Sequence, residues 1–149
     1  TSKIRRLIPR HQNSPLAQAA ALSTSEKWGE LVPLDDMPQI DAIVTGSVAV
    51  TRSGKRCGKG EGYSDIEFAI LRELGHDAVP VATTVHGIML VGDFPRDDID
   101  LPLSAIAMPD GVIEIDTPFP APDGIDWSRL SDRDLEDMPV LKELKALKF

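Results

Sequence analysis

One cysteine, Cys57, occurs in 149 residues. A lone thiol excludes an intrachain disulfide and any four-cysteine zinc site. Aromatic residues make up 5% of the chain, with a single tyrosine, Tyr63. Positive charge is in deficit: 16 Lys and Arg stand against 24 Asp and Glu, giving a net charge of −8. That balance argues against an open nucleic-acid surface and leaves room for a local basic pocket. No apolar run approaches the ~18 residues of a membrane-spanning helix, and no signal peptide is visible. A cytoplasmic protein with no membrane partner is the default expectation. The 42% apolar content and the length suit one domain with a substantial core.

Glycine is concentrated instead of scattered. Arg56-Cys57-Gly58-Lys59-Gly60-Glu61-Gly62-Tyr63-Ser64-Asp65 alternates three glycines with a lysine and a glutamate. Glycine lets the backbone approach a ligand and take positive φ. Successive N–H groups in such a loop converge on anions, and the start of a following helix adds unpaired N–H groups and dipole. With Arg56 and Lys59 supplying charge, the stretch reads as a phosphate-binding loop. The other reading is a solvated surface turn, because the spacing matches neither G-x-x-x-x-G-K-[ST] nor G-x-G-x-x-G.

The flanks favour the phosphate reading. Ile40 to Val50 is apolar and β-branched, which predicts a buried strand. Ser64 to Leu74 has helical apolar spacing, with Ser64 or Asp65 as the N-cap and Gly75 as the C-terminal stop. The 12 residues between Val50 and Tyr63 form a long strand-to-helix connection, and long ordered loops are usually functional.

Elsewhere, Leu16 to Leu22 reads as a short alanine-rich helix and Leu31-Val32-Pro33 as a short strand. Val79 to Val85 and Ile88 to Val91 are strand-like, with His86-Gly87 between them. Ala105 to Met108 and Val112 to Ile115 flank a Pro-Asp-Gly reversal. Thr117 to Gly124 carries three prolines and reads as extended linker. Ser131 to Leu147 predicts a helix that Pro139 breaks or kinks. His11 and His76 read as surface positions. This alternation predicts an α/β fold around a central sheet, as one domain over residues 1–149 with 117–149 as C-terminal linker and helix.

The segment Gly46-Ser47-Val48-Ala49-Val50, with Gly54 to Glu67, resembles the 5-formyltetrahydrofolate cyclo-ligase (methenyltetrahydrofolate synthetase) family, and most of all its divergent domain-containing branch. The family pattern is Arg-Leu-Gly-x-Gly-Gly-Gly-Tyr-Tyr-Asp-Arg. Arg56, Gly58, Gly60, Gly62, Tyr63 and Asp65 fit it, while Glu61, Ser64 and Ile66 depart from it. Phe94 to Leu103 is similar to a second family segment, with Asp100 at its aspartate and Ile99 at its histidine. The resemblance implies a three-layer α/β/α fold with a mixed, mainly parallel sheet, and a family N-terminal region that this chain lacks.

The activity implied is ATP- and Mg2+-dependent closure of a 5-formyl reduced folate, or related pterin, to the 5,10-methenyl form. By that resemblance Arg56, Gly58, Lys59, Gly60, Gly62 and Tyr63 bind the nucleotide, with Arg56 and Tyr63 also catalytic, and Asp65 and Asp100 hold the metal. Structural roles stand beside these: a helix cap for Asp65, a turn for Asp100, packing for Tyr63, an apolar filler for Cys57 and a structural histidine for His86. The alternative function is a non-catalytic nucleotide-binding or regulatory protein that keeps the fold.

Overall fold

The computed structural model describes residues 5–7, 23, 27 and 29–147. The alanine-rich stretch 16–22, the cations Lys3, Arg5 and Arg6 as side chains, and His11 lie outside what is described. The chain divides into two compact units, 1–38 with 130–149, and 39–129.

In the first unit β1 (Arg5–Leu7) pairs antiparallel with β2 (Gly29–Leu31), followed by a 3-10 turn over Leu34–Asp36. The predicted strand at Leu31-Val32-Pro33 is thus shifted toward Gly29, because Pro33 has no N–H for a ladder and precedes the turn.

The second unit holds a four-stranded sheet. Its strands are β3 (Ile43–Thr45), with β6 (Val81–Thr84), β7 (Ala105–Met108) and β8 (Gly111–Glu114) beyond the two-stranded hairpin β4 (Ala49–Val50) and β5 (Arg56–Cys57). The order is β3-β6-β7-β8, with two parallel pairs and an antiparallel last pair. The predicted α/β class and mixed, mainly parallel sheet are borne out. So is the Pro-Asp-Gly reversal: Met108 faces Gly111 across Pro109 and Asp110.

The long strand expected over 40–50 is two strands. β3 stops at Thr45, and after Gly46-Ser47 the chain leaves the sheet to build the β4–β5 hairpin. Ile43 and Thr45 turn inward while Val44 is 74% exposed, so β3 alternates and is not buried on both faces. The twelve-residue connection is correspondingly a hairpin turn, a strand and then the glycine loop. Ile88 to Val91 is not a strand either. His86 caps a 3-10 turn over Gly87–Met89 by accepting the Ile88 N–H at Nδ1 (3.4 Å), and a lone parallel bridge joins Leu90 to Val50.

Helix α1 spans Tyr63–Glu73 and lays Phe68 against Val81, Val85, Leu101, Leu103, Ile106 and Val50, the core of this unit. Its cap is Gly62 in the left-handed region, not the Ser64 or Asp65 expected from side-chain preference, since the chain enters the helix through positive φ and both residues fall inside the first turn. Its end follows expectation. Gly75 takes φ 87°, its N–H bonds to the Arg72 carbonyl, and the His76 N–H reaches the Leu71 carbonyl. His76 is buried, not on the surface: the chain folds back past Gly75, and the Arg72 guanidinium bonds the His76 carbonyl. The 117–124 segment has no regular structure, but Arg72 and Arg96 donate to its Pro122 and Pro120 carbonyls.

In the first unit the expected C-terminal helix is two, α2 (Asp132–Asp137) and α3 (Val140–Leu147), separated at Pro139, and a Ser131–Asp134 capping box opens α2. α3 buries Val140, Leu141 and Leu144 and contacts the Leu34–Asp36 turn.

Gly54 and Gly75 share a positive φ but differ in surroundings. A Cβ on Gly54 would stand 3.1 Å from the Leu103 carbonyl oxygen and 3.3 Å from Ile115, while one on Gly75 meets nothing within 4 Å. Gly75→Ala should cost about 1 kcal/mol from φ alone, and Gly54→Ala clearly more, about 2 kcal/mol or above. Denaturant unfolding of both variants checks the order.

Candidate functional site

The carboxyl end of β3, the β4–β5 hairpin, the glycine loop and the start of α1 enclose a cavity of about 660 Å3, closed on its other side by Phe94, Pro95 and Asp100. Parallel strands gather their carboxyl ends on one edge, and that edge is where α/β sheets bind ligands. Arg56, Gly58, Lys59, Gly60, Gly62, Tyr63, Asp65 and Asp100 all line this cavity. The tertiary structure therefore brings the residues expected to hold nucleotide and metal to the lining of one cavity.

Arg56 dominates the electrostatics. Its side chain is 5% exposed, and its Nη1 lies 3.5 Å from Asp65 Oδ2. Among the described residues its Nε is buried with no hydrogen-bond partner. A buried unsatisfied N–H on a cation costs on the order of 1–3 kcal/mol, so it marks a place where an anionic acceptor is favoured. Gly58 has its own reason to be glycine: a Cβ there would stand 3.2 Å from Arg56 Nη2. Its missing side chain makes room for the guanidinium.

Gly60 and Gly62 take φ of 95° and 68°, and a Cβ on either meets nothing within 4 Å. The space beside them is open to a ligand. Lys59 and Glu61, on either side of Gly60, are exposed. Tyr63, 39% exposed, is the first residue of α1. Cys57 is exposed on the cavity wall and not a buried filler, because its position on the two-residue β5 faces outward.

Asp65 already has structural work. Oδ1 accepts the Leu101 N–H at 3.0 Å and Oδ2 faces Arg56, so one carboxylate ties α1 to β5 and to the 94–103 segment. Burial holds its pKa above the ordinary value. The Leu101 N–H and Arg56 pull it back, and nearby Asp100 adds to the rise. Asp100 closes a turn: its Oδ2 accepts the Asp97 N–H at 2.8 Å, and its own N–H bonds the Asp97 carbonyl. Among the described residues no group of three or more His, Cys, Asp or Glu is arranged to hold a metal ion.

Several residues that shape this region carry no sequence signal. Arg96 donates to the Asp100 carbonyl at 2.8 Å and the Pro120 carbonyl at 3.0 Å, and lies 5.0 Å from the Phe119 ring centre. Glu73 accepts the Ile125 N–H at 3.0 Å. Asp97 pairs with Arg129 at 2.7 Å. A second hollow of about 710 Å3 borders the 51–55 turn, where Lys55 is already engaged by Asp93 at 2.6 Å and the Phe94 carbonyl at 2.9 Å.

The sequence profile of the 5-formyltetrahydrofolate cyclo-ligase family matches residues 3–109, which hold the whole cavity. The chain is similar to proteins named methenyltetrahydrofolate synthase domain-containing protein. It is 42% identical to the one from Mus musculus over 119 residues, covering 76% of this chain and 32% of that protein. The Bos taurus protein is 41% identical over 135 residues (87% and 35%), and that of Danio rerio 40% over 121 (78% and 31%). The chain thus spans about a third of the length of these relatives.

The Asp65 environment sets a pH dependence. A carboxyl with a raised folded pKa holds its proton more tightly folded than unfolded. Its ionisation therefore removes stability as pH climbs from the ordinary value of 3.8 through the folded one. Stability of the wild type relative to Asp65→Asn should fall as pH rises through that window. Urea titrations across it read the slope, and a relative stability that rises with pH would mean that attraction to Arg56 outweighs burial.

Proposed function

We propose that this chain, which belongs to the 5-formyltetrahydrofolate cyclo-ligase family, binds ATP with Mg2+ in the glycine-loop cavity and acts on a 5-formyl reduced folate or related pterin. The observation that carries the reading is the Arg56 guanidinium, buried beside the loop with an unpartnered Nε.

The residues present suit a polyphosphate. Gly60 and Gly62 leave open the space that side chains would fill, and α1, eleven residues long, follows the Gly62 cap with its N-terminal end toward the loop. Lys59 is exposed beside them, and Arg56 offers directional donors that match phosphate oxygens. The fit to Mg2+ is conditional on phosphate. Asp65 and Asp100 line the same cavity, and Mg2+ commonly takes one or two protein carboxylates beside phosphate oxygens and water. In the family reaction ATP supplies the phosphoryl group that activates the formyl oxygen, and Mg2+ offsets charge on the phosphates.

The chain's own contribution is positioning and neutralisation, the main demands of phosphoryl transfer. Arg56 holds the transferred group against the loop N–H donors. Asp65 keeps Arg56 in place. Tyr63, at the cavity rim, offers a hydroxyl and a ring to the ligand. No helix among the described residues is long and apolar enough to cross a membrane, and a cytoplasmic location belongs to the same proposal.

Calorimetric titration with ATP–Mg2+ tests the site. Lys59→Ala should bind about tenfold more weakly, a loss of ~1.4 kcal/mol, with an unchanged melting temperature because Lys59 is exposed. Absence of binding by the wild type would overturn the nucleotide reading. Adding 5-formyltetrahydrofolate and following the absorbance of the methenyl product then separates the enzyme from its alternative: ATP binding without turnover would assign the chain to the non-catalytic class.

A further inference from the structure

Ser47 lies two residues past Thr45, where β3 ends, and lines the cavity. Its Oγ is 2.7 Å from Thr83 Oγ1. Thr83 is fully buried on β6, directly opposite Thr45 in the parallel ladder, and its Oγ1 is 2.8 Å from the Thr45 carbonyl oxygen.

The protons in this chain of three oxygens have one consistent arrangement. A carbonyl only accepts, so the short contact to Thr45 requires Thr83 to donate. The Thr83 hydroxyl has one hydrogen, which that bond uses. At 2.7 Å the Ser47 contact is also a hydrogen bond, so Ser47 must be its donor. Reversing the chain would set the Thr83 oxygen against the Thr45 carbonyl at 2.8 Å with no hydrogen between them. The Ser47 hydrogen is thereby committed to the protein interior, and Ser47 has only lone pairs left for the cavity.

We propose that Ser47 is a specificity-determining acceptor, locked by Thr83, that selects an N–H group on the bound ligand and disfavours a carbonyl or phosphate oxygen at that position. This rests on the reading of the cavity as the ligand site. It gives the cavity a polarity: anionic oxygen at Arg56 and the glycine loop, an N–H donor at Ser47. Two components of the proposed ligand set carry such a group on a heterocycle, the adenine amine of the nucleotide and the 2-amino group of the pterin.

Binding measurements on the intact protein distinguish the sources. In Ser47→Ala, affinity for one ligand should fall about fivefold or more, the scale of one hydrogen bond, while the other stays unchanged. Loss confined to ATP assigns the adenine amine; loss confined to 5-formyltetrahydrofolate assigns the pterin. Thr83→Val then frees the Ser47 hydrogen. The preference for the affected ligand over its carbonyl counterpart (ATP over ITP, or the folate over its 2-oxo analogue) should narrow by at least threefold. A general loss of fold would not change that ratio selectively. Equal weakening of both ligands or of neither in Ser47→Ala, or an unchanged preference in folded Thr83→Val, overturns the proposal. No binding of either ligand by the wild type would instead remove the reading on which it rests.

Discussion

A guanidinium held almost out of solvent by one carboxylate is the constraint on which the site depends. Removing a charge from water is costly, and a buried cation is tolerated when a partner and hydrogen bonds compensate it. Arg56 has the Asp65 carboxylate at 3.5 Å and an Nε without a hydrogen-bond partner among the described residues. The arrangement is therefore stable but incomplete. Asp65 supplies a countercharge and accepts the Leu101 N–H with its other oxygen. That single side chain links the hairpin, the helix and the 94–103 segment, so the cavity wall is built around the need to hold Arg56.

The rest of the site follows from this placement. At Gly58 a Cβ would crowd the guanidinium, standing 3.2 Å from Arg56 Nη2. Gly60 and Gly62 are glycine for another reason: positive φ turns the chain into α1 and leaves the helix start uncovered. The Ser47–Thr83–Thr45 chain fixes a cavity-lining hydroxyl by hydrogen bonding through a fully buried threonine. Buried polar chains of this kind are rigid because each member has one satisfied arrangement.

Local chemistry was legible where a residue type has few alternatives. Gly75 at the end of α1, the Pro109-Asp110-Gly111 reversal and the break at Pro139 depend on backbone dihedrals and missing donors, which sequence states directly. The glycine loop and its resemblance likewise led to every residue that lines the cavity among those proposed. Features that depend on distant partners were not legible. His76 is buried because the chain folds back over it, and Arg96 matters because Phe119 and Pro120 arrive beside it from more than twenty residues away. The apolar run 40–50 gave no sign that it divides between a sheet and a hairpin, since hydrophobicity reports burial and not which partner provides it.

The sequence by itself determined the α/β alternation, the glycine-rich connection into a helix and the cations beside it, because periodicity, glycine freedom and charge are properties of residues and their neighbours. Only the tertiary structure decided what those residues face. It turned Asp65 from a helix cap into the partner of Arg56 and the Leu101 N–H, made Asp100 the clasp of a turn, and set Ser47 against Thr83 across 36 positions of chain. Hydrogen bonds and buried charge are satisfied by whatever the packed chain brings within about 3 Å, and that distance is a property of the fold.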